Sequence, residues 1–311
     1  MFDSNKLNLF IPKIGESWIV DRLREEWLIS NKEVTASNMF SSNLIWIMAP
    51  WMWNKIPKLI LKSKKVICTI HHFEETDLSE DGLNQFLKRD QYIDFYHVIS
   101  KDAENTLSNL TDKKIFYLPF WVNDHLWREL DNKDLLRKKY GFDKKDYIVG
   151  SFQRDTEGAD LKSPKLIKGP DRFIEIVKYF DEINESLVVL LTGKRRQYVI
   201  ENLENLNIKY RYFPMEELET INELYNVLDL YIVSSRIEGG PQAILECAIS
   251  KTPIISTDVG IAGEILDNTS IFSMDDFQAA EPNIEIAYNN ALKFKFSVQQ
   301  NLFNKMFLEI I

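Results

Sequence analysis

The sequence of 311 residues is 45% apolar and 12% aromatic, too much apolar material for a disordered chain to leave solvated, and at roughly 150 residues per domain it predicts two folded domains. Its net charge of −9 is uneven: residues 1–145 hold 22 Lys+Arg against 21 Asp+Glu, and the remainder 16 against 26. An acidic second half without a basic run argues against sequence-specific DNA binding, so no nucleic-acid partner is expected.

In chain order, Asp3, Lys6, Lys13 and Glu16 interrupt the apolar runs of the first twenty residues, so no export signal is expected. The spacing predicts strands over 7–11, 44–48, 66–70, 95–99 and 114–118, and helices over 16–30, 52–62, 82–90, 101–110 and 123–139. A charged stretch at 139–146 reads as a linker. Beyond it the rhythm is more regular, with strands over 147–151, 187–192, 208–213, 229–234 and 253–257. Helical spacing falls near 171–181, 195–204, 217–227, 241–250 and 262–267. Such alternation predicts a parallel sheet with crossover helices. The last thirty residues read as one or two amphipathic helices. No apolar run reaches the roughly 20 residues of a membrane span. Cys68 and Cys247, far apart and flanked by apolar residues, read as reduced core thiols, which makes the cytoplasm the default compartment.

Several clusters carry chemical meaning. Trp46, Trp51 and Trp53 lie beside Lys55, Lys58, Lys62, Lys64 and Lys65. This mixture fits either a core helix with snorkelling lysines or a peripheral contact with a lipid–water interface. His71 and His72 end the run Lys65-Val-Ile-Cys-Thr-Ile70, and adjacent residues there cannot point the same way. Gly150 and Ser151 close a strand, followed by Arg154 and then by Lys168 at a helix start, a suitable cradle for a diphosphate. Lys162 and Lys165 compete with Lys168 for that role. No Asp-x-Asp triplet occurs in the chain, so a bridging metal has no obvious ligands.

The segment Asp229–Ser250 reads as strand, glycine turn and helix. Gly239 and Gly240 permit close backbone approach, and Pro241 suits a first helical turn. Glu246 is the one ionisable residue on an otherwise apolar helix, so its carboxylate needs a partner. That partner is either a structural ion pair or helix terminus, or the hydroxyls of a ligand. Glu238, between the strand and the glycines, is either a solvated loop residue or part of the same cavity.

The spacing Glu238…Glu246, with Gly-Gly-Pro after the first glutamate and Pro253-Ile-Ile-Ser-Thr-Asp-Val-Gly260 downstream, resembles the signature of retaining GT-B glycosyltransferases, especially glycosyltransferase family 4. The resemblance is clearest over 147–172 and 229–266. It implies an α/β GT-B fold of two Rossmann-like domains facing each other across a cleft: residues 1–145 for the acceptor, 146–290 for the nucleotide sugar, and a terminal helix within 291–311 returning to the first domain. It implies that Glu238 contacts donor-sugar hydroxyls and Glu246 the nucleotide ribose. Arg154 and Lys168 would bind the leaving diphosphate, and His71, rather than His72, would reach the sugar. Gly239, Gly240, Pro241, Gly150 and Ser151 would line the nucleotide. The family's glycine-rich first loop has a partial counterpart in Ile11-Pro-Lys-Ile-Gly15-Glu-Ser17, with Gly15 as its contact.

The implied reaction moves a sugar from a nucleoside diphosphate sugar to a hydroxyl acceptor, a glycan or lipid-linked molecule, with retention and with neither metal nor cofactor. Surface polysaccharide assembly at the inner face of the membrane is the setting such resemblance implies. The rival expectations are a GT-B epimerase or phosphorylase and a catalytically silent GT-B subunit that binds nucleotide or scaffolds a partner.

Overall fold

A computed structural model describes residues 6–15 and 19–311. The chain divides into two units, Met1–Trp121 with Phe296–Ile311, and Val122–Lys295.

In the first unit, β1 (Leu9–Phe10), β2 (Leu44–Ile47), β3 (Lys65–Ile70), β4 (Phe95–Val98) and β5 (Ile115–Tyr117) pair in chain order, all in parallel. The continuous burial of β2 and of Val66–Ile70 is what a parallel sheet covered on both faces requires. The intervening helices are α1 (Ile19–Ser30), α2 (Lys58–Ser63), α3 (Glu80–Asp90) and α4 (Lys101–Ser108). The start predicted for α1 at residue 16 lies outside the described residues. The helix predicted over 52–62 is two pieces, a 3-10 turn Pro50–Lys55 and α2, because Pro57 occupies the N-cap of α2 in an extended conformation and cannot continue a helix from behind. Trp27, Trp46 and Trp121 meet Phe303 and Phe307 of the last helix, Phe296–Ile310, with ring centroids 5.1–6.1 Å apart.

The second unit begins earlier than the expected boundary near residue 146. Of the helix predicted over 123–139 only α5 (Lys133–Lys139) forms, the residues before it being turn and irregular backbone, and it is entered through Asn132 at φ +66°, a left-handed residue no helix runs through. The guanidinium of Arg137 on α5 donates to the Val227 carbonyl (3.1 and 3.0 Å) and to Asp229 (2.5 Å). The charged stretch that reads as a linker therefore follows a helix fastened to the second sheet. That sheet holds β6 (Tyr147–Ser151), β7 (Leu187–Thr192), β8 (Tyr210–Phe213), β9 (Leu230–Val233), β10 (Ile254–Thr257) and β11 (Ile271–Phe272), all parallel, in the order β11-β10-β9-β6-β7-β8. Its helices are α6 (Pro170–Ile183), α7 (Gln197–Asn205), α8 (Leu218–Val227), α9 (Gln242–Ile249), α10 (Ala262–Ile265) and α11 (Ile284–Ala291). No helix among the described residues is long and apolar enough to cross a membrane.

The order of the second sheet locates its site. The chain runs outward from β6 through β7 to β8, then returns to pair β9 on the other side of β6. The loops leaving β6 and β9 therefore diverge around a topological switch point, where open α/β sheets bind ligands beyond their carboxyl ends. Gly150 allows this pairing, since a Cβ there would lie 2.5 Å from Leu228 Cδ1. Its small size serves packing.

Candidate active site

The loop after β9, Ser234–Pro241, is joined to the turn before α6 through both backbone and side chains. Gly169 adopts φ +62°, and a Cβ on it would fall 1.8 Å from the Ser234 carbonyl oxygen, so only glycine fits this close approach. Ser234 Oγ donates to the Gly169 carbonyl at 2.8 Å. The N–H groups of Arg236 and Ile237 both donate to the Ile167 carbonyl, at 2.8 and 3.2 Å. Outside this joint the Arg236 guanidinium grips Asp171 with two bonds of 2.8 and 2.6 Å and also reaches the Leu166 carbonyl. That bidentate contact holds the Asp171 carboxyl below its usual range, the hydrogen bonds from Arg236 outweighing burial.

The joint brings Lys168 and Glu238 together from seventy positions apart. Lys168 Nζ lies 2.5 Å from Glu238 Oε1. The Ser235 hydroxyl is 3.1 Å from the same oxygen and 3.2 Å from Gln153 Oε1. Gln153, on the loop after β6, donates through Nε2 to the Lys168 carbonyl at 2.7 Å. Gln153, Lys168, Ser235 and Glu238 thus form one hydrogen-bonded group spanning the switch point. Chemically it offers a half-buried carboxylate able to accept from hydroxyls and an ammonium able to meet a phosphate. Lys162 lies exposed in a turn organised by the Asp160 carboxylate. Lys165 immediately precedes the 3-10 turn Leu166–Lys168.

Arg154 is exposed on the loop after β6, and no ion pair engages it among the described residues. Its loop is shaped from beneath by a pair that sequence reasoning missed. Arg196, fully buried, donates through Nη1 to the Ser151 carbonyl at 2.8 Å and to that of Gln153, while its Nε lies 3.1 Å from Asp155 Oδ2. Burial lifts the Asp155 carboxyl to about 6 against the attraction of Arg196 and the N–H groups of Val199 and Tyr198. It lowers the Arg196 guanidinium as well. The adjacent residues Arg154 and Asp155 therefore divide the work, one facing solvent and the other inward. The only sequence signal was that charged dipeptide shortly after a buried strand.

Glu246 is 6% exposed, and its Oε2 accepts a 2.8 Å bond from the buried Tyr225 hydroxyl. Burial and the Glu246 charge push that hydroxyl far above its ordinary range. The carboxylate's protein partners thus include a phenol, which the sequence had not suggested. The Tyr225 ring lies 4.8 Å from Phe152, and the Phe152 N–H donates to the Tyr231 hydroxyl at 3.0 Å. This aromatic set links Glu246 on α9 to the loop carrying Gln153 and Arg154. Pro241 is the N-cap of α9 in an extended conformation, so the helix starts at Gln242, one residue later than expected. Neither Gly239 nor Gly240 has positive φ; it is Gly260, at φ +57°, whose added Cβ would meet the Gly239 carbonyl oxygen at 2.3 Å.

His71 and Gly15 belong to the first unit. His71 Nε2 is 2.8 Å from the Met48 carbonyl oxygen, whereas His72 faces Glu74 at 3.4 Å. Gly15 has φ +79°, and its N–H donates to both Asp21 oxygens at 3.1 and 3.0 Å. The Gly15 N–H is thus used within the chain; Glu16 and Ser17 lie outside the described residues. No cluster of three or more His, Cys, Asp or Glu suited to a metal occurs among the described residues.

The family described as Glycosyl transferases group 1 matches residues 132–291, and no curated protein matches the sequence. Among solved structures, HepE from Anabaena in complex with UDP and glucose is similar over 97% of this chain and 99% of its own, at 12% identity and a TM-score of 0.75. Sucrose-phosphate synthase from Thermosynechococcus elongatus is similar over 93% of this chain and 77% of its own, at 13% identity and a TM-score of 0.67. A glycosyltransferase from Rickettsia africae aligns over 96% and 84%, at 16% identity and a TM-score of 0.67. These likenesses identify the fold as GT-B. With the family match covering more than half of the chain, the protein belongs to the group 1 glycosyl transferases, enzymes of nucleotide-sugar-dependent glycosyl transfer.

Proposed function

We propose that this glycosyltransferase moves a sugar from a nucleoside diphosphate sugar to a hydroxyl of a glycan or lipid-linked acceptor, with retained anomeric configuration and without a metal, at the cytoplasmic face of the membrane. The observation that carries the reading is the Lys168–Glu238 pair, 2.5 Å apart at the switch point of the second sheet. Glu238 accepts from the donor sugar's hydroxyls, Lys168 turns from Glu238 to the departing diphosphate, and Arg154 adds a second positive charge to it. Glu246, held by Tyr225 through Oε2, takes the ribose hydroxyls. His71, by the family resemblance, is the histidine assigned to the donor sugar. Transfer follows same-face attack, the leaving phosphate oxygen accepting the acceptor's proton. Orientation and stabilisation of the leaving charge carry the rate. The UDP and glucose bound by HepE make a uridine nucleotide and a hexose the first pair to try.

The test is a thermal-shift comparison of UDP, GDP, ADP and TDP, followed by proton NMR of the product's anomeric centre. One nucleotide should raise the melting temperature through linkage, Glu246→Gln should weaken that shift, and turnover should persist in EDTA. An inverted product, a requirement for a divalent ion, or unchanged nucleotide affinity in Glu246→Gln would each overturn the corresponding part.

A further inference from the structure

From Val34 to Phe73 the chain carries five lysines, no arginine and no carboxylate, within a sequence of net charge −9. The structure decides which apolar residues of this stretch are exposed. Trp46 is wholly buried in β2, with its N–H on Thr69 Oγ1 at 2.8 Å. Trp53 is buried too, with the Lys58 ammonium 3.4 Å from its ring centroid. Neither can meet a membrane. In their place stand Leu59 in the first turn of α2, 82% exposed, Phe40, 70% exposed, and Trp51, 42% exposed.

The charges lie near Leu59 on α2 and beside the Phe40 backbone. Lys62 and Ser63 follow Leu59 by one helical turn on the exposed face of α2, and Lys55 and Lys65 flank that helix, all exposed. Lys64 Nζ donates to the carbonyls of Phe40 and Ser42, at 2.9 and 2.6 Å, which sets a positive charge beside the Phe40 backbone. None of the five lysines meets a carboxylate among the described residues. Elsewhere in the same unit Lys101, Lys113 and Lys114 pair with Glu104, Asp90 and Glu309.

We propose that this surface docks the protein onto an anionic lipid bilayer, Leu59 and Phe40 entering the headgroup boundary while Lys55, Lys62 and Lys65 meet lipid phosphates. Charge complementarity names the partner's sign, and the exposed aliphatic and aromatic side chains name a bilayer: Leu59 offers a nucleic-acid base nothing to stack on. The absence of arginine fits diffuse attraction to headgroups better than bidentate grip on one phosphate. The inference is independent of the donor chemistry of the second unit.

Flotation of the full chain with vesicles tests it. Binding should occur with phosphatidylcholine mixed with phosphatidylglycerol, not with phosphatidylcholine alone, and should weaken as salt rises. Each lysine near such a surface is worth about fivefold, so Lys55→Gln/Lys62→Gln/Lys65→Gln should bind about a hundredfold more weakly. Leu59→Ser/Phe40→Ser should lose flotation while keeping its melting temperature and its nucleotide-induced shift, which separates this outcome from misfolding and from failure of the donor reading. Protein remaining in the soluble fraction with both vesicle types, equal flotation with the neutral ones, or heparin binding as tight as vesicle binding and indifferent to Leu59→Ser/Phe40→Ser would overturn the proposal.

Discussion

Both units are parallel α/β sheets, yet they bury polar groups in different ways. In the first, the buried His97 lies in a relay: Trp46 donates to Thr69 Oγ1, which lies 2.9 Å from His97 Nδ1, and His97 Nε2 meets the Leu118 carbonyl at 2.6 Å. A carbonyl can only accept, so the proton sits on Nε2 and Nδ1 accepts from threonine. Burial holds this imidazole neutral, its pKa lowered to about 3. The second unit instead retains charges: Arg196 with Asp155, wholly buried, and Lys168 with Glu238, partly buried. The relay joins neighbouring strands of one core, whereas the charged pairs fix loops at the ends of strands. The His97 relay serves packing, whereas the Arg196–Asp155 pair shapes the loop after β6, where the transfer chemistry is proposed.

Breaking the buried pair should have the largest effect. Arg196→Met leaves the buried Asp155 carboxyl without its counter-charge and should cost about 3–5 kcal/mol in urea unfolding, while Arg196→Met/Asp155→Leu should recover most of the loss. Equal stability of the two variants would show that the charges do not depend on each other. Next comes Glu238→Gln, which should lower turnover by roughly a hundredfold or more with little change in melting temperature, because the lost interaction is one that catalysis uses. Arg154→Ala should lower turnover at least about tenfold, the worth of one charge-assisted bond to the departing phosphate; retained turnover would remove Arg154 from the site.

The comparison sharpens further with pH. His97 lies below its ordinary 6.5 when folded, so between about pH 6.5 and 3 the unfolded chain binds a proton that the folded chain refuses. Stability of the first unit should therefore be intact above that window and fall on acidification, by up to about 1.4 kcal/mol per pH unit. Asp155, raised from 3.8 to about 6, acts oppositely: its contribution is present below 3.8 and is lost as pH rises through 6. Tryptophan fluorescence can follow the first unit, since Trp127 is the one tryptophan between Val122 and Lys295. A signal that is flat from pH 6.5 to 4 would contradict the neutral, buried imidazole.

Particular elements explain what could be read in advance. The strands at 147–151 and 187–192 were legible to the residue because strands covered on both faces are unbroken apolar runs bounded by polar turns. The two-residue β11 was too short to carry any period. The helix predicted over 123–139 failed at Asn132, whose positive φ interrupts it, and α5 beyond it is fastened to the second unit through Arg137. Glu246 announced itself as an acid on an apolar helix, but its phenolic partner stands twenty-one positions earlier on another helix. Likewise, an Arg-Asp dipeptide says nothing of an Arg196 lying forty-one positions beyond Asp155.

What the sequence by itself determined was the alternation of strands and helices, the glycine turn before α9 and the two glutamates around it. These follow from periodicity and backbone freedom, which are local properties of a chain. Only the tertiary structure chose Lys168 as the lysine that meets Glu238 and placed Trp46 and Trp53 inside while Leu59 and Phe40 stayed out. Those choices depend on which distant segments the sheet order brings within hydrogen-bond or van der Waals reach, a property that no stretch of sequence possesses alone.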